Sequence, residues 1–269
     1  MKFSRLLLGV IASFVLGAAA QAAPLKVGVY PGAIADSLET AAAEARKQGI
    51  DVKVIEFTDW TTPNSSLAAG DLDANYYQHQ AFLDNVMKER GFKLKSVGVG
   101  LRGNMGLFSA KIQRIEDLKE GAKLALANDP TNQTRSLLLL QDAGLVKIRP
   151  NVAKTFTLDD VVENPRKLKF VELGGPQLVR AFEDVDLVVA TPNNFISAGK
   201  KDVAAAGLRY SQDNDGYWAI QFVVRADAPV DPRLTKLIEI YQQSPAVRKQ
   251  IHDSYDSNAK YYSLPWLKK

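Results

Sequence analysis

The chain alternates short apolar runs with helical segments, and it does so twice. Residues 25–30 (LKVGVY) stop at Pro31-Gly32 and read as a buried strand. Residues 35–47 repeat Ala and Leu at helical spacing, with Asp36 as a candidate cap and Gly49 as a stop. A strand at 52–57, a helical turn at 65–69 before Gly70, a helix at 82–90 before Gly91 and a strand at 94–99 follow. The second set comprises a short helix holding Leu118, a strand at 123–127 (KLALA) and a leucine-rich helix at 131–143 before Gly144. It continues with strands at 169–173 and 187–190, separated by a helical segment at 176–182. A late strand at 218–225 (WAIQFVVR) and helices at 234–243 and 245–255 complete the pattern. Such alternation specifies an α/β fold with parallel sheets covered on both faces.

Two α/β sets followed by one late strand imply two lobes, with the C-terminal part folding back onto the first. The expected division is 23–108 plus about 205–269 for the first lobe and about 109–204 for the second. The crossings are expected near Phe108-Ser109 and between Phe195 and Gly216. Open α/β sheets bind ligands beyond the carboxyl ends of their strands, so two such lobes would face those ends into one cleft.

The N-terminus bears on the compartment. Lys2 and Arg5 precede an apolar run at 6–16, and Ala20-Gln21-Ala22 matches a cleavage site. The expectation is a signal peptide, residues 1–22, cut after Ala22; a retained membrane anchor would need a longer apolar span. The sequence contains no cysteine, which removes disulfides, thiolate metal sites and a point of lipid attachment. A periplasmic protein without a lipid anchor is therefore expected. Lys2 and Arg5 leave with the leader, and the remaining charges of both signs are interspersed. That distribution excludes a nucleic-acid footprint or a polybasic membrane patch.

Catalytic chemistry finds little support. The two histidines, His79 and His252, cannot build an all-nitrogen metal site, and no G-x-S-x-G, H-E-x-x-H or P-loop motif occurs. No cofactor and no metal are expected. Gly98-Val99-Gly100-Leu101-Arg102-Gly103 satisfies a dinucleotide fingerprint, but residues 104–109 (NMGLFS) do not open a long helix. These glycines read as a turn and strand beside the cleft. Asp71/Asp73 and Asp159/Asp160 read as turn or helix-start acids rather than an acid/base couple.

Three stretches concentrate polar and aromatic residues where strand-end loops should lie: 57–64, 71–79 and 128–135. In the third, Asp129-Pro130 signals a helix start, where free N–H groups and the positive end of the helix dipole meet. Asn132 and Arg135 lie three apart on one helix face, an arrangement suited to a carboxylate. Arg135 could equally pair with a carboxylate of the protein. Trp60 and Tyr77 offer flat apolar surface with polar edges, for a ligand or for the core. His79 could line the same site or be satisfied by neighbouring backbone.

These segments resemble the NlpA/MetQ family of methionine-binding proteins of ABC importers. The resemblance rests on Gly70-Asp71-Leu72-Asp73-Ala74-Asn75 with Gln78-His79, and on Asn128-Asp129-Pro130-Thr131-Asn132 with residues 135–141 (RSLLLLQ). Residues 160–165 (DVVENP) and Pro176-Gln177-Leu178 add to it. It implies a two-lobed periplasmic binding protein fold, type II-like, with the ligand in the interlobe cleft. By matching position, Arg135 and Asn132 would hold an α-carboxylate, Trp60 and Tyr77 would pack on the ligand side chain, and His79 would line the pocket. An Asn near the return between lobes is matched by either Asn193 or Asn194. The sequence departs from the family pattern in several places. Trp60 stands where Tyr is usual and Tyr77 where Phe is usual, and the usual lipobox cysteine is missing. Arg102-Gly103-Asn104 replaces a usual Val-Tyr-Pro stretch, and Ile220, with Gln221 adjacent, stands where a ligand-binding Asn is usual.

The sequence thus points to a binding protein rather than an enzyme. It would be monomeric, take a small amino-acid-like ligand, methionine first, and deliver it to an inner-membrane permease and ATPase. A dipeptide or larger amino acid is the alternative ligand, and a ligand-sensing module the alternative role.

Overall fold

The computed structural model describes residues 23–150, 155–212 and 216–267. The expected leader, residues 1–22, lies outside them. The chain runs β1 (Leu25–Val29), α1 (Ala33–Arg46), β2 (Val52–Glu56), α2 (Thr62–Ala69), β3 (Ala74–His79), α3 (Gln80–Arg90) and β4 (Leu94–Val99). Next come β5 (Arg102–Gly103), β6 (Gly106–Phe108), β7 (Lys123–Ala127), α4 (Pro130–Asp142), β8 (Lys147–Ile148), β9 (Val161–Glu163), β10 (Lys169–Leu173) and β11 (Leu187–Ala190). The last stretch holds α5 (Pro192–Ser197), α6 (Lys201–Ala205), β12 (Arg209–Tyr210), β13 (Ile220–Arg225), α7 (Pro232–Gln243), α8 (Pro245–Ser254) and β14 (Tyr262–Ser263).

Two five-stranded sheets organise these elements. The first has the order β2-β1-β3-β13-β4 and the second β10-β7-β11-β6-β12. The expected parallel pairing holds among β1, β2 and β3 and among β7, β10 and β11. The remaining strands differ. β13 is antiparallel to β3 and β4, and β6 is antiparallel to β11 and β12. β6 and β13 each enter a sheet directly from the other one, without the helical crossover that would turn them parallel. Because β6 belongs to the second sheet, the chain first crosses between Val99 and Gly106, earlier than Phe108-Ser109. It returns between Tyr210 and Ile220.

Each sheet has its own core. Ile34, Leu38, Ala41, Ala42 and Ala45 give α1 one apolar face, buried against β1 and beneath α7 and α8. Leu137, Leu139 and Leu140 of α4 pack with Leu124, Leu126 and Val189 of the second sheet. Gly70 and Gly91 end α2 and α3 at φ 87° and 70°, a left-handed conformation that costs glycine little. Asp36 does not cap α1, which begins at Ala33 after Gly32; it lies in the first turn, where its charge suits the dipole. The expected helix at 176–182 is two 3₁₀ turns, Gly175–Gln177 and Arg180–Phe182. Leu118 follows a third, Ile115–Asp117, rather than lying in a helix.

The glycine fingerprint is a packing device. A Cβ on Gly98 would lie 2.7 Å from Ile238, and one on Gly100 would lie 2.1 Å from the Tyr76 hydroxyl. That hydroxyl accepts from Leu101 N–H at 3.0 Å and donates to Tyr241 at 2.7 Å, and the Tyr76 ring stacks on Phe222 at 4.2 Å. Among the described residues no helix is long and apolar enough to cross a membrane.

Candidate functional site

A cavity lies where the ends of β1 and β3 meet the starts of α4 and α5, between the two sheets. Tyr77 and His79, two apart on β3, point to one side of the strand and line it. His79 ends the strand and also caps α3: its Nδ1 accepts from Phe82 N–H at 3.0 Å. With Nδ1 accepting, the neutral ring carries its proton on Nε2, which donates to Asn132 Oδ1 at 3.1 Å. Burial, then the nearby Arg135 charge, pushes the His79 pKa down to about 3, against the opposing Asn132 hydrogen bond. The ring is therefore uncharged at neutral pH.

Helix α4 brings the second sheet's contribution. Asp129 caps it by accepting from Asn132 N–H at 2.9 Å, and Asn132 Nδ2 donates back to Asp129 Oδ2 at 3.0 Å. The Asn132 amide is thus engaged by His79 on one side and Asp129 on the other. Arg135, one turn on and buried, donates to the Gly103 carbonyl at 2.5 Å. Its guanidinium carbon lies 5.6 Å from the centre of the Trp218 ring.

Trp60 closes another side. The Asp59 carboxylate accepts from Thr61 and Thr62 N–H, both at 2.7 Å, and so folds the loop after β2. The indole stands edge-on to Tyr30 at 6.1 Å and to Phe82 at 6.3 Å, while the Tyr77 hydroxyl donates to the Trp60 carbonyl at 3.0 Å. Trp60 also reaches the second sheet's territory, where a Cβ on Gly175 would fall 1.9 Å from its ring. Only glycine permits that approach.

Asn193 and Asn194 open α5. Asn193 Nδ2 donates to the Pro31 carbonyl at 3.1 Å, bridging to the loop after β1. Asn194 Oδ1 accepts from Thr191 N–H and Oγ1 in a capping box, and its Nδ2 reaches the Gly175 carbonyl at 3.4 Å. Both residues line the cavity. Burial pushes the Tyr30 hydroxyl up in pKa, with the Ser197 and Asn194 side chains opposing, so Tyr30 also spans the two sheets.

Seven of the eight residues expected from sequence meet around this cavity: Trp60, Tyr77, His79, Asn132, Arg135, Asn193 and Asn194. Gln221 does not. Its side chain pairs with Ser96 Oγ at 2.8 Å and Ala219 O at 2.7 Å, away from the cleft. Strand parity explains it: Ile220 and Phe222 share the face toward the first core, and Ile220 is the residue that lines the cavity. Tyr30, Phe82, Trp218 and Tyr255 also line it and were not anticipated. The position of Tyr30 at the carboxyl end of β1 was the available signal for one of them. Among the described residues no cluster of acids and histidines could hold a metal.

Two α/β units joined by two crossings, with a buried arginine and an aromatic wall between them, define the class of periplasmic binding protein folds. Residues 25–262 match the family model described as NlpA lipoprotein, and the chain belongs to that family. It is 39% identical over 219 residues to the D-methionine-binding lipoprotein MetQ of Salmonella typhi, covering 81% of each chain. The crystal structure of the methionine binding protein MetQ superposes with a TM-score of 0.84 at 36% identity, covering 91% of this chain and 98% of that one. A nutrient binding protein from Burkholderia cenocepacia, bound to methionine, superposes at 0.81 with 37% identity, covering 86% and 97%.

These relatives correct one expectation. The reading of a protein without a lipid anchor rested on the missing cysteine alone. The family and its curated relatives are named as lipoproteins, and that reading is withdrawn.

Proposed function

We propose that this protein is the periplasmic substrate-binding component of an ABC importer, taking a small α-amino acid, with methionine as the first ligand to test. The observation that carries the reading is the buried Arg135 guanidinium beside the capped start of α4, within a cavity walled by Trp60, Tyr77, Phe82 and Trp218. A fixed cation and aromatic rings lining one cavity suit a carboxylate with an apolar side chain. The methionine-bound Burkholderia relative and the methionine-binding names of the others support the ligand.

In this reading residues 1–22 are a signal peptide directing the chain to the periplasm. The lobes follow the two sheets, the two crossings serve as hinges, and the monomer closes on its ligand by hinge motion. Arg135 takes the carboxylate, while Asn132, held by His79 and Asp129, braces the helix start beside it. The closed form would dock on the permease and its ATPase. The ligand is released chemically unchanged, so no residue has a catalytic role.

Gly103 supports a second ligand class, a dipeptide or larger amino acid. A Cβ there would meet nothing nearer than Thr191 at 3.9 Å, which leaves space where a larger side chain would stand. Calorimetric titration of the purified protein with the standard amino acids and methionine-containing dipeptides tests both. Saturable binding of methionine supports the first reading, tighter binding of a dipeptide the second, and binding of neither class overturns both.

A further inference from the structure

Nearly every polar side chain around the cavity is already hydrogen-bonded within the protein. The Tyr77 hydroxyl is held by Trp60, His79 by Phe82 N–H and Asn132, Asn132 by Asp129, and Asn194 by Thr191 and Gly175. Two atoms on cavity-lining residues are different. Asn193 Oδ1 and the Tyr255 hydroxyl are buried and lack a hydrogen-bond partner among the described residues. Such a group has lost its hydration with no partner to replace it, so native structures seldom tolerate it without a reason.

Tyr255 is also fixed in place. It follows α8, which packs along α1, and its ring stacks on Tyr262 at 4.7 Å and 19°. Its relative exposure is 1%. Burial, then the neighbouring Tyr241 and Tyr262, raises its pKa, so the hydroxyl stays protonated and can both donate and accept. The nearby late strand presents only Ile220 to the cavity, which offers no hydrogen bond.

We propose that Tyr255 is a ligand-contacting residue, its hydroxyl joining Asn193 Oδ1 in accepting hydrogen bonds from the ligand's ammonium group. This rests on the amino-acid reading above, in which Arg135 takes the carboxylate. An ammonium has three donors and no acceptor, which complements one amide oxygen and one phenol oxygen. Tyr255 then selects for the amino group, while the aromatic wall selects for the side chain.

The test compares the full protein with Tyr255→Phe, which keeps the ring and its stacking. L-methionine is titrated directly and its des-amino analogue, 4-(methylsulfanyl)butanoate, by displacement; ligand-free melting temperature is measured alongside. The expected result is a loss of about tenfold or more in methionine affinity. Analogue affinity should be unchanged, and the ligand-free melting temperature should hold or rise, because an unsatisfied buried hydroxyl has gone. Unchanged methionine affinity, an equal loss for both ligands, or a lower melting temperature without ligand would each overturn the proposal. If the unmodified protein binds methionine and the variant binds it equally, this inference alone fails. If the unmodified protein binds no amino acid, the functional reading fails and this inference with it.

Discussion

The His79 ring and the Asn132 amide, 3.1 Å apart, tie the end of β3 to the start of α4 and so join the two sheets across the cleft. The bond belongs to a chain that runs from Phe82 N–H through His79 and Asn132 to Asp129. Each member occupies a strand or helix terminus, where backbone groups need side-chain partners. The contact therefore fixes the relative position of two helix starts, one from each sheet's set of elements.

This arrangement makes stability sensitive to acid. His79 is buried neutral with its pKa near 3, below its unfolded value of about 6.5. Between those values the unfolded chain binds the extra proton, so the contribution to stability is complete above about pH 6.5 and declines as pH falls toward 3. Melting curves from pH 7 to 4 should show a loss of order a few kcal/mol that is smaller in His79→Gln. Equal acid slopes for the two proteins would remove His79 from the account.

The proposed closure would also depend on Gly175. An added methyl would sit 1.9 Å from the Trp60 ring, so Gly175→Ala should hold the two apart. Ligand affinity should fall about tenfold or more, with scattering showing no ligand-induced contraction. Normal contraction in the variant would mean that Trp60 and Gly175 do not need to meet.

The Gly100 position tests the first core instead. Gly100→Ala would drive a Cβ to 2.1 Å from the Tyr76 hydroxyl and disturb its bonds to Leu101 and Tyr241. Overpacking of this kind costs about 1–3 kcal/mol, measurable by denaturant unfolding. A variant as stable as the parent would show that Tyr76 can move aside.

How far the sequence could be read depended on the range of the interactions involved. Strands such as Lys123–Ala127 and stops such as Gly70 and Gly91 are local, and they lie where residue patterns put them. Asn132 and Arg135 were legible for the same reason: one helix start brings both to one face. Trp218 meets Arg135 only because the chain crosses back between sheets, and no local pattern encodes that meeting. Gln221 shows the limit most plainly. One step along a strand reverses the face, and Ile220 takes the place beside the cavity. The antiparallel entry of β13 is likewise set by where the chain arrives from.

Arg135 is the group on which the account depends most, and titration of L-methionine into the native protein and Arg135→Ala tests it directly. A charge-assisted hydrogen bond to a carboxylate contributes about 1.5–3 kcal/mol, so the variant should bind at least about tenfold more weakly. Equal affinity in the two proteins would contradict the account, because the ligand's carboxylate would then lie somewhere other than against Arg135.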